Sequence, residues 1–172
     1  MMLFPGYCVT MARYNAWQNK QLRAVFETLS EAELRKNRKA FFGSLMTTAN
    51  HLLWGDTLWM SRLDGGAGPG VDASGHATFT PTVAVWAGER FKMDARILRW
   101  ADGLRAVDLK GDLTWCSGTL DRELSHRIDL CITHFFNHQT HHRGQIHAML
   151  TAAGAKAPVT DLIFMPEDGP WL

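Results

Sequence analysis

Apolar residues recur at three- and four-residue intervals over four long stretches of the chain, the period of an α-helix buried along one face. In the first, residues 4 or 6 to 29, Tyr7, Met11, Tyr14, Leu22, Val25 and Leu29 form the stripe, and Gln18 interrupts it. Arg13, Asn15, Asn19 and Lys20 fall outside it and read as facing solvent or a partner. Ser30 is placed to stop this helix and cap a short turn, and the basic link through Arg38 reads as solvated. The second stretch, residues 44–63, opens on Ser44 as an N-cap and closes on Asp64-Gly65-Gly66. Its arc of Leu45, Ala49, Leu52, Trp59, Met60 and Leu63 also contains Asp56. A buried carboxylate is costly unless paired, so Asp56 reads either as paired, with Arg143 and Arg13 the candidates, or as hydrated at a rim. The third stretch, residues 83–104, carries Trp86, Met93, Ile97, Trp100 and Leu104, widened by Phe91 and Leu98. Asp94 lies in the widened arc and reads as salt-bridged or as a half-exposed rim residue. The fourth, residues 130–153, ends near Gly154.

The connecting segments differ in character. Residues 64–81 are rich in Gly, Ala, Ser and Thr and are long for a compact domain. They read as a mobile loop bordering whatever cleft the helices form. Residues 113–117 and 122–128 alternate weakly around Gly118-Thr119-Leu120-Asp121, the pattern of a short hairpin. The tail after Ala157 contains Pro158, Pro166 and Pro170, and Ile163, Phe164 and Trp171 are expected to pack on the other elements.

The fourth stretch also holds the chemistry. It contains Asn137-His138-Gln139-Thr140-His141-His142-Arg143-Gly144-Gln145, and His138 and His142 are four residues apart. That spacing stacks the two side chains on one helical face and is how one helix gives two imidazoles to one metal ion. His134, Gln145 and Met149 share or border that face, His141 lies at its edge and His147 points away. Cys131, two turns before His138, reads as a small core residue with a thiol ligand as the alternative. Two imidazoles hold a metal weakly, so a third ligand is expected from elsewhere. His51 on the second helix is the best candidate; His76, in the Gly-rich loop, and His126, after the turn, are weaker ones. Against this stands the bland reading, in which a helical histidine is a hydrogen-bonded packing residue.

Two strings resemble a known family. His51-Leu52-Leu53-Trp54-Gly55-Asp56, continued by Trp59, Arg62 and Leu63, and then Asn137-His138 with Thr140-His141-His142-Arg143-Gly144-Gln145, are similar to the DinB-like metal-binding four-helix bundles. The resemblance runs from about Met11 to about Leu162. It implies a divalent ion on three histidines, which map onto His51, His138 and His142. It also implies an all-α four-helix bundle in up-down-down-up order, with a small extended hairpin before the last helix, and frequent homodimers. A wide apolar face on the third helix is compatible with such a dimer.

Composition removes several alternatives. At 172 residues the chain is read as one domain, residues 1–172, with enough length for a single substantial core. Net charge is +1 with no basic block, so no nucleic-acid footprint is expected. No apolar run is long enough to span a membrane, and the N-terminus lacks the pattern of a signal peptide. Three scattered cysteines fit reduced thiols and a cytoplasmic location better than a disulfide framework. A di-iron centre needs two Glu-x-x-His pairs and further core glutamates; only Glu123 and His126 have the spacing, in the hairpin, so di-iron is rejected.

Three neutral imidazoles suit zinc first, with nickel or iron as alternatives. They leave a coordination position for water or substrate, as catalytic sites do. Family relatives include thiol transferases, thiol-dependent isomerases and hydrolases, with the metal holding a thiolate or hydroxide as nucleophile. A low-molecular-weight thiol is therefore one expected small-molecule partner. His134, His141 and Asp94 are the candidates for acid, base or supporting roles. A non-catalytic metal-binding stress-response protein and a purely structural bundle are the other classes.

Overall fold

The structure, a computed structural model, describes residues 3–118 and 120–172. Four long helices dominate it: α1 (Pro5–Phe26), α3 (Leu45–Leu63), α4 (Val83–Gly103) and α5 (Ile128–Ala152), with a one-turn α2 (Glu31–Arg35) between the first two. The hairpin, β1 (Asp112–Ser117) and β2 (Arg122–Arg127), precedes α5. The molecule is an all-α helical bundle with one small antiparallel hairpin. Helix α1 packs on α4, and α3 packs on both α4 and α5.

The start signals work as the sequence dictates. Ser44 accepts from the Thr47 amide at 3.1 Å, and Ser30 caps α2 through the Glu33 amide at 3.2 Å. Thr82 does the same for α4. Helix α1 stops at Phe26 rather than Leu29, because the amides of Thr28 and Leu29 bond three residues back as turns. Phe26, Leu45, Met46, Trp86, Ile97, Phe135, Phe136 and Ile146 fill the core. Each such side chain stabilises the fold by roughly 1.5–3 kcal/mol when fully buried.

The core is not uniformly apolar, and here the expectation for α1 is corrected. Asn15 and Asn19 do not face solvent; both are buried, as is Gln18. The inward face of α1 is Cys8, Ala12, Asn15, Ala16, Asn19, Leu22 and Phe26. The amide nitrogens of Asn15 and Asn19 each donate to Asp94 Oδ1 at 2.9 Å. Asp94 is thus buried among partners and is not a rim residue. Arg90, one turn earlier on α4, reaches Asp94 at 2.8 Å and Asp56 at 2.6 Å. The partner of Asp56 is therefore Arg90, with Gln139 Nε2 donating to its other oxygen at 3.0 Å. Neither Arg143 nor Arg13 takes that place. Arg143 donates to Asn15 Oδ1, while Arg13 stacks on Trp171 at 4.4 Å. Two guanidinium groups and two carboxylates make a charge-balanced clamp joining α1, α3, α4 and α5.

The connections are more structured than their composition suggests. Residues 64–81 contain a 3-10 helix, Ala73–Thr78, that lies on α3. Asn50 donates to the Ala77 and Thr80 carbonyls and accepts from Thr80, and Trp54 Nε1–H donates to the Val71 carbonyl at 3.0 Å. The hairpin pairs Trp115 with Leu124, and Leu113, Trp115 and Ser117 alternate onto its half-covered face. Trp115 meets Trp59 of α3 edge to face at 5.5 Å. The tail departs from expectation: Ile163 and Phe164 point outward, 85% and 63% exposed, and do not pack on the bundle. The strap is held by its main-chain oxygens instead. Tyr14, Gln18 and Lys20 of α1 donate to the carbonyls of Thr160, Val159 and Pro170. At the very end Trp171 and Leu172 half-bury themselves.

Candidate metal centre

Helices α3 and α5 lie side by side, and their touching faces bring His51 to His138 and His142. The three offer ligand atoms that all lie within 4.8 Å of one another. Nε2 of His51 and Nε2 of His138 are 3.2 Å apart. Two nitrogens bound tetrahedrally at a zinc–nitrogen distance of about 2.0–2.1 Å would stand about 3.3 Å apart. The ring of His142 closes the group, 4.4 Å from that of His138 and 4.6 Å from that of His51.

Two details fit the pocket to a cation. Among the described residues, the buried Nδ1 atoms of His51 and His138 have no hydrogen-bond partner. A neutral imidazole has one N–H and one lone pair, so facing Nε2 atoms satisfy each other only if one of them donates. A cation beside them uses both lone pairs at once. His142 is oriented differently: its Nδ1 lies 2.8 Å from Gln145 Oε1, which can only accept. The N–H is thereby fixed at Nδ1 and the Nε2 lone pair is left free, the usual device for aiming a ligand. Gln145 is itself held by His141, 3.2 Å away.

Burial pushes the pKa of His51 down to about 3, with help from the nearby His142 and His76. Burial does the same to His138, also to about 3, reinforced by His142 and His51. His142 is lowered by burial too, with Gln145 pulling the other way. The rings are neutral at pH 7, which is the ligating form.

Gly55 and Phe42 contribute without having been readable as site residues, and His76, a weaker ligand candidate by sequence, packs against His51 outside the three-residue group. Gly55 faces His138, and a Cβ there would stand 3.0 Å from His138 Cε1. Only the missing side chain lets the imidazole lie against α3. Phe42 covers His51 at 4.0 Å and His142 at 5.3 Å between ring centres. It is delivered by the turn at Gly43, whose φ of +79° suits glycine. His76 is brought by the loop to 4.8 Å from the His51 ring, edge-on, and Trp54 stacks beyond His51 at 6.2 Å. The pairing of Gly55 with His138, 83 residues further along the chain, carries no local signal, and the loop's path is a tertiary result.

The other candidates fall elsewhere. His134 is exposed, 5.8 Å from the His138 ring and 5.0 Å from Trp59. Asp94 belongs to the buried clamp, and burial pushes its pKa up to about 6 against the pull of Arg90 and Asn19. Cys131 turns its sulfur to the His126 carbonyl, and His126 sits on the hairpin beside Trp115. His147 lines a separate depression with Tyr14 and Arg143.

Fold and site together define a helical-bundle protein with a three-histidine pocket able to hold a metal ion. The chain belongs to the DinB family, whose family model matches residues 2–169, nearly its whole length. No curated protein matches it. No helix among the described residues is long and apolar enough to cross a membrane.

Proposed function

We propose that this DinB family protein is a metal-dependent enzyme of the thiol-transfer type. His51, His138 and His142 hold one divalent ion, zinc first, with nickel or iron as alternatives. What carries the reading is the convergence of three neutral imidazoles from two rigid helices, two of them 3.2 Å apart at Nε2. Such an ion supplies a Lewis acid with an open position, where a thiol or water is more readily deprotonated.

The chain's own residues do the rest. Gln145 keeps the His142 proton on Nδ1. Phe42, Trp54 and His76 close around His51 and exclude water from that side. His134 is the acid–base candidate with the freer ring, because His141 is tied to Gln145. Asp94, committed to Arg90 and two asparagines, is given no part in the chemistry. The preference for a thiol over water rests on the absence of a carboxylate from the three-residue group. In His-Glu-x-x-His hydrolases a glutamate beside the ligands serves as base for the water. The protein is further proposed to act as a homodimer in the cytoplasm.

Metal analysis of purified protein tests the site. One equivalent is expected in wild type, in His76→Ala and in His147→Ala, and a large loss in His138→Ala and His142→Ala. A full equivalent in His138→Ala removes the assignment. Thiols titrated into Co²⁺-substituted protein test the chemistry through a sulfur-to-metal charge-transfer band that is lost in His142→Ala. With metal bound but no band for any thiol, the hydrolase or a non-catalytic metal-binding role takes precedence.

A further inference from the structure

A cleft of about 380 Å³ opens beside the histidine pocket, walled by Trp54, Leu58 and Arg62 of α3, by Val71 of the loop and by Cys116 and Ser117 of the hairpin. Trp54 connects the two places, since its indole also stacks on His51. Arg62 forms the far end. Its guanidinium lies 4.7 Å from the Trp59 ring centre and 4.8 Å from that of Trp115. The two indoles meet edge to face, and the cation lies within 5 Å of both ring centres. Among the described residues no carboxylate pairs with Arg62, whereas the buried Arg90 and the half-buried Arg96 of α4 each have an acidic partner. The one acidic residue in the cleft wall, Asp72, is already bonded to the amide and hydroxyl of Ser74.

Helix geometry relates this cation to the metal pocket. His51 and Arg62 are eleven residues apart, about three turns, so they share a face with Leu58 between them. Their Cα atoms are separated by about 16 Å along the axis at a rise of about 1.5 Å per residue. An arginine packed over aromatic rings can still turn N–H groups to a carboxylate, the partner that guanidinium binds most strongly.

We propose that this cleft binds an elongated carboxylate-bearing substrate, its anionic end on Arg62 and its reactive end at the three histidines. The identity of the reactive end rests on the thiol reading above; the anion site does not. Leu58 and Trp54 give the middle of the molecule an apolar floor. A short neutral thiol reaches the histidines without using Arg62, so selectivity lies in length and charge together.

The test uses the full-length protein loaded with Co²⁺ and two probe sets: ω-mercaptoalkanoates of graded length and the matching ω-mercaptoalcohols. Beyond a threshold length, the acids are expected to develop the charge-transfer band at about tenfold lower concentration than the alcohols, the scale of a charge-assisted hydrogen bond. In Arg62→Gln the two sets become equivalent, and Arg62→Lys keeps part of the preference; metal content in both variants checks folding. A second readout needs no thiol. Cys116 is the exposed cysteine, Cys8 and Cys131 being buried, and its alkylation by iodoacetamide is expected to slow with plain long-chain alkanoates in wild type but not in Arg62→Gln. Equal behaviour of acids and alcohols in the first readout, with no Arg62-dependent protection of Cys116 in the second, overturns the proposal while leaving a thiol band intact. Arg62-dependent protection of Cys116 without any band keeps the anion site and removes the thiol reading.

Discussion

Gly55 sets how closely the His138 ring approaches α3. Replacing it with alanine adds a methyl 3.0 Å from His138 Cε1 and pushes the ring away from His51. Alanine is the better helix former by about 1 kcal/mol, so Gly55→Ala is expected to keep its thermal stability. Its metal affinity is expected to fall on the order of tenfold, the effect of disturbing a ligand's support. Competition against a chelating dye measures this, and unchanged affinity would show that the ring does not need the space. The same rings set a pH dependence. His51 and His138 titrate at about 3 in the folded protein and from 6.5 when free. Below 6.5 the unfolded chain takes up protons that the folded one refuses, so stability of the metal-free protein is lost as pH falls from 6.5 toward 3. Urea midpoints at pH 7.5 and pH 5 check it; equal midpoints would mean the rings are not buried as neutral groups. At this scale the pairing of His138 and His142 on one face was readable, since an i, i+4 pair is a local signal. Phe42, Gly55 and the approach of His76 were not, because each depends on how distant segments meet.

Among the elements, α1 and α4 were the hardest to read. The sequence pattern gave a paired Asp56 as one reading, yet Arg90 was invisible as that partner. A charged residue inside a helical repeat is ordinarily assigned to the wet face, as Asn15 and Asn19 also were. What reverses the assignment is mutual compensation: Asp56, Arg90 and Asp94 are tolerable inside only together. Arg90→Met should therefore destabilise the fold by about 3–5 kcal/mol, because it leaves two carboxylates without their cation. Adding Asp56→Asn and Asp94→Asn to that variant should restore part of the loss. Thermal unfolding reads both, and a loss below about 1 kcal/mol for Arg90→Met would place the clamp's carboxylates in the neutral form already. The helix bounds themselves were legible to within a few residues, because Ser30, Ser44 and the glycine-rich ends are chemical signals that act locally.

For the whole molecule, the helical bundle followed from four amphipathic stretches and one weak hairpin, whereas the course of the tail did not. Side-chain polarity says little about a strap anchored through carbonyl oxygens. Val85 and Phe91 on α4 remain nearly half exposed, and a homodimer that covers them is expected. Light scattering at micromolar concentration should give about twice the 19.3 kDa of one chain, and a monomer mass would refute it. A last consequence lies in the interleaving on α5. His138 and His142 face the pocket, while their immediate neighbours Gln139 and Arg143 reach into the clamp. The rotation of the helix is thus set by residues that take no part in holding an ion. Replacing the ligands leaves the register of the bundle under separate control, so a lineage built on it is free to change its metal, or to abandon it, without having to relearn how to fold.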